Sequence, residues 1–377
     1  MPLELGTWGP ILALLMFTLV NWLHGASVVP CYFVVGDSKI NNGNNNNIKT
    51  AAKANYPSQG IDFPRRSNRK VQQWQEHSGL YRFSFSISLI SDSICHQDKC
   101  LASSTALMPA QFLFVPTVQC LGFDRFILPP ANASDEDILR GLNYASVGAG
   151  ILEETGKTLG NIVTFSNQLK NHADTVSRIT MMSGGNETSA LSYLSKCLYH
   201  VMHGNNDFCG NYFRPKQYSS SCRYNAELFA DLLIQTYTER IEAKNPWTHT
   251  PFTERFHAPV RIYNDKLKSL VDDLNRDYTD SRFICLDDFC SFWNLVDRPS
   301  SNGLAVTNMA CSGIGRNKGQ VRCLPHLMPS RYRNLYVFWD PFSLTEAASL
   351  AVVKKLFDND SWSSFTYPMS ILQLAKL

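Results

Sequence analysis

Apolar runs and turn residues alternate along this chain. Residues 28–35 form a hydrophobic run that stops at Gly36-Asp37-Ser38. A short apolar run bounded by turn residues predicts a buried strand. An asparagine-rich loop at 41–47 follows. Helical spacing appears over 135–142, 162–182, 187–194, 226–243, 262–274 and 344–357. Short strands are predicted at 199–202, 282–286 and 335–339, the last running into Asp340. Residues 143–150 read as a loop of small residues. Two stretches break this order. Residues 65–120 scatter serines and aromatics with neither period, and residues 244–260 hold Pro, His and Thr with no clear period. Strands alternating with helices predict an α/β fold in three layers, a parallel sheet with helices on both faces.

Composition narrows the class. The 377 residues suffice for one large α/β domain, and 44% hydrophobic content supports a real core. A net charge of +3 gives no basic surface for nucleic acid. Residues 1–26 read as a secretory signal, with an apolar core at 11–20 and small residues Gly25-Ala26-Ser27 for cleavage, although Glu4 and the lack of Lys or Arg make the start atypical. The apolar run is short for a spanning helix, so no stable membrane insertion is expected. Residues 27–377 are then one domain. The expected location is outside the cell, free or in a cell wall. Eleven cysteines suit an oxidising compartment, and the odd total leaves at least one unpaired. Sequons at Asn132, Asn186 and Asn359 agree with secretion.

The chemistry sits at strand ends. A serine delivered to the carboxyl edge of a sheet can be a nucleophile if a base is near. Four blocks follow in order: Gly36-Asp37-Ser38, Asn143-Tyr144-Ala145-Ser146 through Gly150, Gly204-Asn205-Asn206-Asp207, and Phe338-Trp339-Asp340. Singly, Ser38 is as well read as a helix N-cap, Gly150 as a turn glycine and Asn206 as a turn former. Together they resemble the plant-type GDSL esterase/lipase family, a branch of the SGNH hydrolases, over most of 28–64, 121–243 and 262–377. The resemblance implies a flavodoxin-like fold and hydrolysis, or transfer, of an acyl ester through an acyl-serine, the substrate being a lipid or small acyl ester or an acetylated cell-wall polymer. It implies no metal, no organic cofactor and no partner beyond the substrate, in a monomer. By position, Ser38 is the nucleophile. Its N–H, that of Gly150 and the Asn206 amide form the oxyanion hole, where fixed donors meet developing charge. Asp340 matches the family's orienting Asp.

Two residues depart from that pattern. The resemblance puts the catalytic His at Ser343, and a hydroxyl has no useful basicity near neutral pH. A capping box with Glu346, opening the last helix, is the bland account of Ser343. His203 is the one histidine beside a site block. His24 falls in the signal, His77, His96, His249 and His257 lie outside the matching segments, and His172, His200 and His326 read as surface or core residues. Lys39 stands where the family has Leu. The alternative to an ester hydrolase is therefore an inactive secreted relative that binds acyl or glycan ligands, or a product without function.

Two segments also contradict the resemblance. Residues 65–78, read one base forward with permitted codons, give GGPTGRFSNGRSIV, which is the family continuation. An out-of-frame or intron-derived segment is thus expected over 65–120, without packed structure. After Glu239 the family has a buried strand, which 244–260 do not supply. A sheet without it leaves backbone groups unpaired unless another segment fills the slot. Finally, the resemblance implies a disulfide between Cys311 and Cys323, with Cys197 a buried thiol.

Overall fold

A computed structural model describes residues 27–51, 83–88, 114–242, 257–278, 281–318, 328–340, 343–358 and 365–377. The expected signal, Asn359, Cys323, most of 65–120 and residues 244–256 lie outside them. The strands are β1 (Tyr32–Gly36), β2 (Phe83–Ser88), β3 (Leu198–Met202), β4 (Ser281–Leu286), β5 (Val306–Ala310), β6 (Tyr336–Asp340), β7 (Ser343–Leu344) and β8 (Thr366–Tyr367). The main helices are α1 (Phe114–Cys120), α2 (Asp135–Arg140), α3 (Phe165–Met182), α4 (Glu187–Leu194), α5 (Ala226–Glu242), α6 (His257–Asp277), α7 (Asp288–Asp297) and α8 (Glu346–Phe357).

Every residue of β1 and β3 is buried, as a parallel strand covered on both faces requires. Alternation splits them. Cys31, Phe33, Val35, Tyr199 and Val201 pack with Phe165 of α3, Leu194 of α4, Phe229 of α5 and Leu267 of α6. Tyr32, Val34, Leu198 and Met202 pack on the opposite face with Val118 of α1, Leu295 of α7 and Val352 of α8. The result is the α/β, helix–sheet–helix arrangement.

The strands divide between two sheets. One runs β1-β3-β2-β4-β8 and the other β5-β6-β7. β1, β3, β2 and β4 are mutually parallel, whereas β8 joins β4 antiparallel through Cys285↔Tyr367 and Leu286↔Thr366. β5 therefore does not extend the first sheet. It pairs with β6, so Asp340 ends a strand of the second sheet.

Three expectations need correction. Residues 65–120 hold β2, which fills the slot between β3 and β4 in continuous register from Phe83↔Ser281 to Ser88↔Leu286. The signal was present in Phe83-Ser84-Phe85-Ser86-Ile87-Ser88, a strict period of two. The slot is filled from elsewhere in the chain, and 257–260 belong to helix α6. Second, α8 is capped by Thr345, whose Oγ1 accepts from Ala348 N at 3.2 Å. Ser343 lies before the helix, in β7, so it makes no capping box. Third, Cys197 is not a free thiol. It is bonded to Cys31. The β1–β3 register pairs Tyr32 with Leu198, which sets these two cysteines side by side one residue earlier.

Candidate active site

β1 ends at Gly36, and the next residues turn off the sheet edge. Gly36 has to be glycine, since a Cβ there would lie 2.7 Å from Met202 O and 2.5 Å from Ile40 Cδ1. Gln168 of α3 holds the strand end from both sides. Its Oε1 accepts from Gly36 N at 2.7 Å, and its Nε2 donates to Gly36 O at 2.9 Å. Asp37 N donates to Met202 O at 3.1 Å, which continues the β1–β3 ladder one step past the strand. Ser38 follows, 1% exposed, and its Oγ has no hydrogen-bond partner among the described residues. Lys39 is buried rather than snorkelling outward, and its N–H donates to Asp37 Oδ1 at 2.9 Å. Burial raises the Asp37 pKa to about 6, against the smaller opposing pull of Lys39.

The asparagine-rich loop is a clamp. Asn41 Nδ2 donates to Ala145 O at 2.7 Å, and Asn44 Nδ2 donates to Asn143 O and Ala145 O at 2.8 Å each. Asn45 Oδ1 accepts from Val147 N at 2.8 Å and Ser146 Oγ at 3.1 Å. Asn143 reciprocates with Nδ2 to Ile40 O at 2.7 Å. Buried backbone groups of the 143–147 loop thus find side-chain partners, which a loop without a ladder needs. What reads in sequence as a low-complexity run fixes the second block against the first.

Asp207 does the same for the second and third blocks. Its carboxylate accepts from Ile151 N at 2.7 Å, Leu152 N at 3.0 Å and Thr155 Oγ1 at 2.8 Å. Gly150 lies directly against it, where an added Cβ would stand 2.5 Å and 2.6 Å from the two carboxylate oxygens. Burial raises the Asp207 pKa to about 7 in spite of these donors. In sequence, Asp207 stands only as the last residue of the Gly204-Asn205-Asn206-Asp207 block, with no role of its own. Asn206 Nδ2 donates to Ala149 O at 2.8 Å, one residue from Gly150. Ser38, Gly150 and Asn206 thus belong to one bonded loop cluster at the carboxyl ends of β1 and β3, with the Asn206 amide engaged by Ala149.

The expected Asp340–Ser343 pair, at the end of a strand of the second sheet, is built differently. Asp340 ends β6 and pairs antiparallel with Ser343 of β7. Both are buried, and Ser343 Oγ has no hydrogen-bond partner among the described residues. Of the described histidines with placed side chains, His200 and His203 are buried and His172 is half-buried against the core. His172 packs on Phe33 and Tyr144, His200 meets the Tyr32 hydroxyl at 2.7 Å, and His203 lies 4.4 Å from the Phe165 ring. Burial lowers their pKa values to about 4, about 4 and about 3, with Arg240 adding to the effect at His203. None of them engages Ser38 Oγ.

A family model for GDSL-like lipase/acylhydrolases matches residues 32–356. The chain belongs to the GDSL lipase/acylhydrolase family. Three GDSL esterase/lipases of Arabidopsis thaliana are similar to it over nearly their whole length. One is 36% identical over 97% of this chain and 98% of its own. Two are 35% identical, covering 96% and 98% of this chain and 96% and 98% of their own. The GDSL chain is thus an ester hydrolase of the lipase/esterase type by family.

The remaining expected residues are placed as follows. Cys311 carries a free thiol, and Cys323, its expected partner, lies outside the described residues. The Cys311 Sγ lies 3.6 Å from Trp339 O, and burial pushes its pKa up to about 12. Asn132 and Asn186 are exposed, and Asn186 Oδ1 accepts from Ser189 N at the start of α4. No helix among the described residues is long and apolar enough to cross a membrane.

Proposed function

We propose that this chain is a slow serine ester hydrolase of lipid or small acyl esters, secreted and glycosylated at Asn132 and Asn186, whose base position has been lost. Ser38 attacks the ester carbonyl and forms an acyl-Ser38 intermediate that water releases. The N–H groups of Ser38 and Gly150, with the Asn206 amide once it leaves Ala149, stabilise the oxyanion. Asp340 keeps the orienting carboxylate, but Ser343 offers no imidazole to orient. The observation that carries this reading is the isolation of the Ser38 hydroxyl, buried and without a hydrogen-bonded base. A hydroxyl at the base position leaves only the part of catalysis that comes from oxyanion stabilisation and binding, roughly 10³–10⁴-fold over water in serine hydrolases generally. Attack of an activated serine on a neutral ester needs no metal.

The second reading, ligand binding without turnover, is favoured by the same Ser343. Hydrolysis of a short-chain nitrophenyl ester by the intact chain and by Ser38→Ala separates the two. Slow turnover that depends on Ser38 supports the hydrolase. Release that is unchanged in Ser38→Ala supports the binding protein.

A further inference from the structure

A buried cation stands beside Ser38, and the hydrolase reading leaves it unused. Lys39 is next in sequence to the nucleophile and only 7% exposed. A charge taken out of water is costly unless a partner meets it. Among the described residues none does. The Lys39 backbone N–H donates to Asp37 Oδ1, but the ammonium makes no hydrogen bond and no ion pair. Asp37 is the carboxyl on which its charge acts, yet burial outweighs that pull and raises the Asp37 pKa to about 6. A carboxylate held by a true counter-ion stands below its ordinary range instead.

Lys39 has company. Most polar side chains around Ser38 are bonded, as Gln168, Asn45, Asn143 and Asp207 are to backbone groups. The exceptions gather at the carboxyl ends of β1 and β3. Asp37 Oδ2, Ser38 Oγ and both amide atoms of Asn205, which is 3% exposed, have no hydrogen-bond partner among the described residues. The strand register pairs Gly36 with Met202, and Asp37 N donates to Met202 O. Lys39 and Asn205 each come three residues after that pair, on neighbouring strand ends. Buried polar groups without partners are rare in folded proteins and need a reason. Beside a nucleophile at a sheet edge, a ligand supplies one.

We propose that Lys39 makes this site selective for esters that carry a carboxylate close to the scissile carbonyl, such as half-esters of short dicarboxylic acids. The ammonium gives the carboxylate a charge-assisted hydrogen bond, and the Asn205 amide is a second donor. One cation matches one carboxylate, so the bound pair is neutral. A purely apolar acyl chain would leave the ammonium unpaired, which discriminates against it. The proposal rests on the hydrolase reading and names its substrate class. Its first readout is binding, which needs no turnover.

The test is calorimetric titration of the full chain carrying Ser38→Ala, which consumes no ester. The ligands are methyl hydrogen succinate and methyl butyrate, the second neutral and of the same acyl length. We expect the half-ester to bind about tenfold tighter or better, the worth of one hydrogen bond to a charged group. Adding Lys39→Met, which keeps the length and removes the charge, should abolish the preference. A thermal midpoint at or above that of the parent shows that this variant folds. Equal binding of the two esters, or binding of neither, overturns the proposal without any change at Lys39. So does a preference that survives Lys39→Met, because the charge then acts from elsewhere. With Ser38 intact, methanol release should favour the half-ester by the same ratio. Release from both esters at one rate overturns the proposal and leaves the hydrolase standing. Selective binding without any release keeps the carboxylate site and overturns the hydrolase reading.

Discussion

The two halves of the candidate site are built to different standards. Around Ser38, nearly every turn is held by a named side chain. Gln168 pins Gly36 from both sides, Asn41, Asn44 and Asn45 clamp the 143–147 loop, and Asp207 gathers three donors beside Gly150. Around Asp340, the strand pairs with a two-residue β7, and Ser343 contributes a buried hydroxyl with no hydrogen-bond partner among the described residues. The bonds of the first half run among β1, β3, α3 and the loops, not through β6, so they do not depend on which side chain stands at position 343.

Substitutions on the two sides should differ accordingly. Asp207→Ala strands the Ile151 and Leu152 N–H groups and the Thr155 hydroxyl, each a buried donor that costs about 1–3 kcal/mol when unpaired. We expect a loss of about 3–6 kcal/mol in denaturant unfolding, and a loss below 1 would remove the clamp from the account. Cys31→Ala with Cys197→Ala opens a link across a sequence separation of 166. Such bridges contribute about 2–5 kcal/mol, and an unchanged unfolding midpoint under reducing conditions would show that the register alone holds β1 to β3.

A smaller effect is electrostatic. His172, His200 and His203 are held at about 4, 4 and 3 against an ordinary 6.5, so their contribution is present above pH 6.5 and lost as pH falls toward 4. Asp37 and Asp207 are raised from 3.8 to about 6 and about 7, so theirs is full below about pH 4 and lost as pH rises through those values. Three groups outweigh two between pH 4 and 6. Stability should fall on acidification there by about 1.4 kcal/mol per pH unit, and His203→Leu should flatten the slope. A slope of the opposite sign would mean that the buried carboxylates dominate. The smallest effect is expected on the other side of the site. Ser343→Ala removes a hydroxyl that has no hydrogen-bond partner, so stability should change by less than about 1 kcal/mol or rise. A large loss would reveal a structural role for Ser343 and undo the contrast between the halves.

Much of this layout is legible in the chain. The strands at 199–202, 282–286 and 335–339 and the long helices lie within a few residues of their observed bounds, because apolar periodicity reports burial directly. Local bonding is less legible. Nothing in the spacing distinguishes Thr345 from Ser343 as the cap of α8, since both precede an apolar run. Asp207 looks like any turn residue until the 150–155 loop is folded against it. The Cys31–Cys197 bond depends on a strand register that joins distant parts of the chain. The β2 strand was legible in the alternation of Phe83-Ser84-Phe85-Ser86-Ile87-Ser88, although the residues around it show no such period. The geometry accepts that strand because parallel pairing needs matched length and register more than a particular origin in the chain.

The most direct test of the lost base is Ser343→His in the otherwise intact chain, assayed on a short-chain nitrophenyl ester beside the parent. A positioned base contributes about 10²–10⁴-fold. With Asp340 already paired to this position, the variant should gain at least 10²-fold in kcat/KM, with a rise through the pH range of a titrating imidazole and loss in the Ser38→Ala background. Rapid turnover by the parent chain, abolished by Ser38→Ala and unimproved by Ser343→His, would contradict the account, because a base other than residue 343 would then be serving Ser38.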